Sequence, residues 1–263
     1  MSNYKVGLVV PIYTTKFIKR IIEYINLTYS NNDLIICIVN DAQPEVKKYL
    51  DSKIWPDNVE IINLESRGNF AGANNAGWKY LIDKYPNLKY LGSLNDDTIP
   101  KNGWLEKMIF VLEGYPKTAL AMPIMETSLG FLKTKKNFAC WRLKGSDNME
   151  PINSKIKNDS FVSAVNGFCF VADKNALVSV NFLDDEFKNG CEDLDLGIKL
   201  LLNGWRMVTV KDSKVYHIGG SSRYIDGNNK ILDNNHVILA KKYSNDVEKF
   251  NNLNESGFLI IRK

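Results

Sequence analysis

The residues with the clearest chemical potential in this chain are Leu94-Asn95-Asp96-Asp97-Thr98, where two carboxylates stand side by side after the apolar run Tyr90-Leu91-Gly92-Ser93-Leu94. Adjacent carboxylates at the exit of a buried strand repel each other, and partial burial raises their pKa values. A hard divalent cation relieves that repulsion by taking carboxylate oxygens, and such cations commonly bridge to a substrate's phosphates. The same residues also suit an Asp-rich turn ahead of Pro100, since Asn and Asp are ordinary turn formers. The choice rests on what else the fold brings to this strand end.

Four other groupings carry chemistry. Asp41 follows the apolar run Leu34 to Val39. The segment from Arg67 through Gly68-Asn69-Phe70-Ala71-Gly72-Ala73-Asn74-Asn75-Ala76-Gly77 is small and polar. Small residues let backbone N–H groups approach a phosphate or ribose at a helix N-terminus; they equally allow a helix to pack closely. It is neither a Walker loop nor the Gly-x-Gly-x-x-Gly dinucleotide fingerprint. His217 leads into Gly219-Gly220-Ser221-Ser222-Arg223. Its imidazole suits Mn²⁺-type ions, and the following groups suit phosphate, although a single strand-end histidine is often structural. Gly190-Cys191-Glu192-Asp193-Leu194-Asp195-Leu196 places three carboxylates at a helix start. Capping and the helix dipole account for one or two of them; a carboxylate aimed at an acceptor hydroxyl would serve as a general base. His236 lies in a helical pattern and is assigned no role.

The elements that must position these groups alternate. Val6 to Val10, Leu34 to Val39, Val59 to Leu64, Tyr90 to Leu94 and Ala119 to Ile124 read as strands. Between them, Ile18/Ile21/Ile22/Ile25, Pro44 to Leu50, Trp78/Leu81/Ile82/Tyr85 and Leu105/Met108/Ile109/Leu112 read as helices. This rhythm predicts an α/β fold, a mainly parallel central sheet with helices on both faces. Glu126 to Ser160 is Lys-rich and irregular and reads either as a mobile flap over a binding site, carrying Phe131, Phe138 and Trp141, or as a disordered stretch. Strand character returns over Phe161 to Val171, then a helix over Leu194 to Leu202, short strands at Val208–Val210 and Lys214–His217, and a helix near Ile231 to Tyr243. Residues 1–225 are expected to form one domain, with the helix and tail of 226–263 packed on it.

A chain of 263 residues with 44% hydrophobic content can bury a sizeable core. Its net charge of +4 without a long basic run does not predict nucleic-acid binding, and it suits an anionic small molecule. The four cysteines form no Cys-x-x-Cys pair, so a structural zinc site is not expected. No secretory signal and no apolar run of roughly 18 residues is visible. These features predict a cytoplasmic protein.

Taken in order, Val9-Val10-Pro11-Ile12-Tyr13, Val39-Asn40-Asp41, the Gly68 to Gly77 segment, Asn95-Asp96-Asp97, Glu192-Asp193-Leu194-Asp195-Leu196 and His217 with its Gly-Gly-Ser-Ser sequel resemble a GT-A-fold glycosyltransferase of family 2, nearest its rhamnosyltransferase-like branch. The resemblance covers roughly Lys5 to Arg223. It implies a Rossmann-like GT-A sheet and a metal-dependent inverting glycosyltransferase, using Mn²⁺ or Mg²⁺ and a UDP- or dTDP-linked sugar. It implies that Pro11, Tyr13 and Asp41 line the nucleotide pocket, and that Arg67, Asn69, Ala71 and Asn75 border the nucleoside and diphosphate. Asp97 would bind the metal with His217, with Asp96 near the ribose or just behind the metal. Asp193, with neighbouring Glu192, matches the catalytic base. Asn95 departs from the family by replacing the first Asp of Asp-x-Asp, and Asn74 stands where some members carry Arg. The acceptor implied is a glycan or lipid-linked glycan of surface polysaccharide biosynthesis. A lipid-linked acceptor leaves room for peripheral contact at the inner face of the membrane.

Three rivals remain in view. A nucleotidyltransferase would want a Gly-rich basic loop near the first strand, which Val10-Pro11-Ile12-Tyr13-Thr14 lacks. A Rossmann dehydrogenase would want the missing fingerprint. A non-catalytic sugar-nucleotide or glycan-binding module would not need Asp97, Asp193 and His217 together, since binding alone requires no base.

Overall fold

Strands form where the sequence is apolar on both faces. β1 (Val6–Ile12), β2 (Leu34–Asn40), β3 (Val59–Asn63) and β4 (Tyr90–Leu94) run parallel in the spatial order β4-β1-β2-β3. Every residue of β2 is buried, as expected of a parallel strand covered on both sides. The computed structural model describes residues 4–29, 33–129, 132–134, 140–144, 148–152, 160–162, 165–188, 190–218, 229–249 and 252.

Alternate residues of the strands feed two cores. Leu8, Val10, Ile36 and Ile38 pack with Ile18, Ile21, Ile22 and Ile25 of α1 (Ile18–Thr28), Val46 and Leu50 of α2 (Pro44–Asp51), and Trp104 to Leu112 of α4 (Trp104–Gly114). Val9, Ile35, Cys37 and Val39 face the other way. They meet α3 (Asn69–Lys84), α5 (Lys174–Ser179), α6 (Glu192–Leu202) and α7 (Asn229–Lys242). The four isoleucines of α1 are almost wholly removed from water, each worth about 1.5–3 kcal/mol. α3 approaches β1 and β2 closely because Gly77 has no side chain: a Cβ there would lie 2.7 Å from Val9 Cγ2 and 2.9 Å from Val39 Cγ2.

Beyond β4 the sheet becomes mixed. β11 (Cys169–Asp173) runs antiparallel between β4 and β6 (Thr118–Leu129), and β12 (Arg206–His217) runs parallel to β6. β5 (Thr98–Pro100) and β10 (Ser160–Val162) pair antiparallel with β12. This is the α/β architecture with helices on both faces that the alternating pattern predicts.

Parallel pairing holds over β4-β1-β2-β3 and β6–β12, while β11, β5 and β10 pair antiparallel, so the sheet as a whole is mixed where the strand–helix rhythm predicts a mainly parallel one; the remaining differences are local. The 126–160 region is not irregular throughout: β6 continues to Leu129 and pairs with β7 (Leu132–Thr134), and β8 (Cys140–Lys144) pairs with β9 (Asn148–Ile152). The period-2 alternation Trp141-Arg142-Leu143-Lys144 is the signal that the Lys-rich composition hid. Phe161 to Val171 is two strands, interrupted by a turn at Gly167-Phe168. The two short strands expected over 208–217 are one strand with a register shift between Val210 and Lys214. β5 and α5 are too short for a periodic signal.

α7 packs against α6. Tyr243 Oη donates to the fully buried Asp195 Oδ1 at 2.6 Å, and Lys242 Nζ lies 2.7 Å from the same oxygen. Lys199 pairs with Asp195 Oδ2 at 3.1 Å. A buried carboxylate is tolerated only when so compensated.

Candidate active site

β4 joins β1 on the side opposite β2, so the winding of the sheet reverses between β3 and β4. Such a reversal splays the loops apart at the carboxyl ends of the strands and leaves a crevice for ligands. Here an open crevice is lined by Pro11, Ile12, Tyr13 and Thr14 after β1 and Asp41 after β2. Arg67, Asn69 and Phe70 line it from the start of α3, and Asn95, Asp96 and Asp97 from the end of β4.

At one end of the crevice, Asp41 is tied down on several sides. Its N–H donates to Ile12 O at 3.0 Å, and its Oδ1 accepts from Gly68 N–H at 2.6 Å. Burial pushes the Asp41 carboxyl up from its ordinary range, against the opposing pull of Gly68 N–H and the Arg67 charge. Arg67 Nε sits 3.9 Å from Asp41 Oδ2, and its guanidinium lies 4.5 Å from the centre of the Tyr13 ring. Asn40 orders the loop behind Asp41 by donating to Gln43 O and Asn63 Oδ1 and accepting from Gln43 N–H. Asn69 enters α3 at φ 54°, a left-handed conformation that Asn tolerates better than most residues. The result is a flat, cationic and aromatic wall beside a fixed acceptor, suited to a base and ribose.

Beside Asp97, the β5–β12 ladder pairs Thr98 with His217 and Ile99 with Tyr216. This sets His217 Nε2 at 3.0 Å from Asp97 Oδ1. Ile218 N–H donates to Asp97 O at 2.9 Å. The register shift upstream is pinned by Ser213 Oγ, which donates to Trp104 O at 2.7 Å, and by Lys107 Nζ, which donates to Asp212 O at 3.0 Å. Bulges next to active sites commonly re-aim a side chain in this way. Burial, helped by the neighbouring Asp97 carboxylate, pushes the Asp96 carboxyl up to about 7; the charge of Arg20, packed 4.8 Å over Phe17, opposes this.

The donor set fits a divalent cation. A carboxylate and an imidazole meet at one point, with a second carboxylate beside them, and both ligand types suit Mn²⁺. Among the described residues no group of three or more His, Cys, Asp or Glu could hold a metal. Two protein ligands leave room for phosphate oxygens, the usual arrangement where a metal binds with its substrate.

Outside the residues that line the crevice lies the first turn of α6. Gly190 and Cys191 take φ 148° and 71°, an abrupt entry that Gly permits and that Glu192 braces by accepting Gly190 N–H at 2.6 Å. Asn235 of α7 ties the same turn down, its Nδ2 donating to Lys188 O and Gly190 O. Asp193 emerges half-buried, its Oδ1 accepting Leu194 N–H and its Oδ2 accepting Gly167 N–H at 2.9 Å. A Cβ on Gly167 would meet both Asp193 and Phe70 Cε1, so Asp193 and the crevice-lining Phe70 both flank Gly167.

Of the residues expected at the site, Pro11, Tyr13, Asp41, Arg67, Asn69, Asn95, Asp96 and Asp97 line one crevice, and His217 joins them through Asp97. Ala71 and Asn75 are placed elsewhere. Ala71 is in the core, and Asn75 clamps the backbone of Leu183, donating to its O at 2.8 Å and accepting its N–H at 3.1 Å. The physical reason is helical periodicity: only the first residues of α3 reach the crevice, and the next turn packs inward. Asn74 is likewise fully buried, donating to Phe70 O. Glu192 braces its own turn and is not among the residues lining the crevice. Ile12, Thr14 and Phe70 line the crevice unanticipated, although their position beside Tyr13 and Asn69 in the sequence could have suggested them. Phe131, Phe138, the side chain of Trp141 and the Gly219 to Arg223 segment lie outside the described residues.

Residues 8–172 match the family model of Glycosyl transferase family 2. No curated protein sequence matches the chain. Among solved structures, the chain is similar to one described as the crystal structure of GalNAc-T7 with UDP, GalNAc and Mn2+, at a TM-score of 0.69 and 15% identity. That similarity covers 96% of this chain and 55% of the other, so the chain spans about half the length of that relative. At this identity the likeness concerns the fold, GT-A.

Proposed function

The chain belongs to glycosyl transferase family 2, and on that premise we propose that it transfers a sugar from a nucleoside diphosphate to an acceptor hydroxyl, with inversion at the anomeric carbon. The observation that carries this reading is one crevice lined by Asp41, Arg67, Tyr13 and Asp97, with His217 3.0 Å from Asp97 and with Asp193 and Phe70 both flanking Gly167. The solved relative of the same fold, crystallised with UDP, GalNAc and Mn2+, supports a nucleotide donor and a metal.

In this reading Asp41 accepts from the pyrimidine, uracil or thymine, while Tyr13 and Arg67 pack against its face. Asp97 and His217 would hold a divalent ion, Mn²⁺ or Mg²⁺, which when bound offsets charge on the departing diphosphate. Asn95 and Asp96 border the ribose and the ion. Asp193 takes the proton of the acceptor hydroxyl. The acceptor oxygen then forms its bond to the anomeric carbon from the opposite face, and the bond to the diphosphate breaks, its electron pair leaving with the diphosphate. Gly167 N–H and Leu194 N–H fix the Asp193 carboxylate, one at each oxygen. The acceptor in this reading is a glycan or lipid-linked glycan. Among the described residues no helix is long and apolar enough to cross a membrane. α7 is read as part of the same domain, on the strength of the contacts of Lys242 and Tyr243 with Asp195.

The test is Asp193→Asn. Loss of a general base lowers turnover by about 10²–10⁴-fold. UDP affinity in the presence of Mn²⁺, measured by calorimetry, should stay at the wild-type value. Undiminished sugar transfer by this variant would sink the assignment and leave a binding module as the better account.

A further inference from the structure

The metal ligands and the proposed base belong to elements far apart in sequence, and one two-residue turn touches Asp193, His217 and the loop that carries Asp97. Gly167 N–H donates to Asp193 Oδ2 at 2.9 Å, and a Cβ on Gly167 would lie 3.2 Å from that oxygen and 3.3 Å from Asp193 Cβ. Phe168 O accepts Asn95 N–H at 2.9 Å, fixing the loop that presents Asp96 and Asp97. The Phe168 ring, 3% exposed, stacks on the His217 imidazole with centroids 5.1 Å apart and planes 20° apart. The turn thus has a hydrogen bond to the base, a hydrogen bond to the carboxylate loop and a face-on contact with the imidazole.

We propose that Gly167 and Phe168 are positioning residues that set the metal site and the base in one frame. Phe168 holds the plane of His217 toward Asp97, and Gly167 holds Asp193 by its backbone N–H while leaving no side chain in the way. The inference rests on the reading of Asp97, His217 and Asp193 given above. Its physical basis is that a metal-binding imidazole needs a fixed ring orientation and gains affinity from whatever supplies it. An imidazole has two rotatable bonds; the Asp97 contact restrains one ring nitrogen, and the stacked Phe168 restrains the plane. A base in turn loses effectiveness when displaced by as little as an ångström.

The experiment is a thermodynamic cycle on Mn²⁺ binding, with no sugar transfer required. Free Mn²⁺ is followed by electron paramagnetic resonance at saturating UDP, whose phosphates keep residual affinity measurable in weakened variants. Wild type, Phe168→Leu, His217→Gln and the double variant are compared, with thermal melts confirming folding. Phe168→Leu should weaken Mn²⁺ binding about threefold to tenfold, the range set by one aromatic contact. In the His217→Gln background the same change should have no further effect. Where the Leu variant does not fold, Phe168→Met carries the same comparison. Wild-type Mn²⁺ affinity in Phe168→Leu, or equal weakening in both backgrounds, overturns the role of Phe168, because a merely structural loss would not depend on His217.

For Gly167→Ala, kcat should fall about tenfold to a hundredfold while Mn²⁺ affinity and donor KM stay unchanged. Wild-type kcat would overturn that half of the proposal. The two levels of inference fail separately. Full transfer by Asp193→Asn removes the base and leaves the Mn²⁺ cycle standing; a flat Mn²⁺ cycle with an inactive Asp193→Asn removes the positioning role and leaves the transferase reading.

Discussion

Thr98 and His217 are direct partners in the β5–β12 ladder, and that register is what sets the imidazole 3.0 Å from Asp97. A strand of three residues therefore decides whether the Asp97–His217 pair forms. Slipping the register by one residue would turn His217 to the other face of the sheet.

Metal binding should follow this pair. His217→Ala is expected to weaken Mn²⁺ affinity about tenfold or more, equivalent to about 1.4 kcal/mol or more. Asp97→Ala should abolish the extra thermal stabilisation that Mn²⁺ adds to UDP, because a ligand stabilises only the state it binds. Thermal shift with UDP, with and without Mn²⁺, reads both outcomes. A metal-independent UDP response in wild type would contradict the site.

Asn75 is expected to matter for stability and not for nucleotide binding. Its amide makes two hydrogen bonds to the backbone of Leu183, and Asn75→Ala leaves both groups without that partner. The loss should be about 1–3 kcal/mol in urea unfolding. UDP affinity in calorimetry should match wild type, and a weakened UDP affinity at unchanged stability would reinstate Asn75 as a donor contact.

Tyr243→Phe should loosen α7 from α6. The phenol donates to the buried carboxylate of Asp195, and hydrogen bonds to charged groups contribute about 1.5–3 kcal/mol. Unfolding free energy should fall by that order. Lys199 and Lys242 remain to compensate the charge, so the variant should still fold. An unchanged denaturation midpoint would show that α7 is not held there.

Glu60 gives the stability of the fold a pH dependence. It accepts from Lys84 Nζ and Tyr80 Oη, each at 2.8 Å, and from Tyr85 Oη at 2.5 Å. Burial works to raise its carboxyl, but these hydrogen bonds outweigh burial and hold it below the ordinary value of 4.5. A depressed folded pKa adds stability above the unfolded value and loses it as pH falls through the folded one. Lys84 is raised by the same pair, so its contribution is lost only under strongly alkaline conditions. Glu60→Gln should therefore cost about 1–2 kcal/mol at neutral pH. The gap to wild type should narrow as pH drops below 4.5, read from urea unfolding at several pH values. A gap that stays constant down to the acid limit would show that the carboxylate is not held by these bonds.

Much of the candidate crevice was legible in the sequence because strand ends are legible. Asp41, Asn95, Asp96, Asp97 and His217 each follow an apolar run, and in a doubly wound sheet such positions converge on one edge. What failed was finer than the element. Along α3 the sequence reads as one small-residue segment, yet the helical turn divides it: Arg67, Asn69 and Phe70 face the crevice, while Ala71 and Gly77 pack inward and Asn75 holds Leu183. The acidic run of α6 divides likewise, with Asp193 against Gly167, Glu192 bracing Gly190 and Asp195 beneath α7.

The sequence by itself determined the alternation of strand and helix, the apolar faces, and the residue types at the strand ends, because these depend on local periodicity and burial. Only the tertiary structure decided which of those residues meet. The His217–Asp97 pairing spans 120 positions and depends on a register shift and a three-residue strand. The contacts of Gly167 and Phe168 with Asp193, Asn95 and His217 likewise depend on long-range packing. No local pattern encodes such contacts; they arise when the two cores close on the sheet and bring distant turns together.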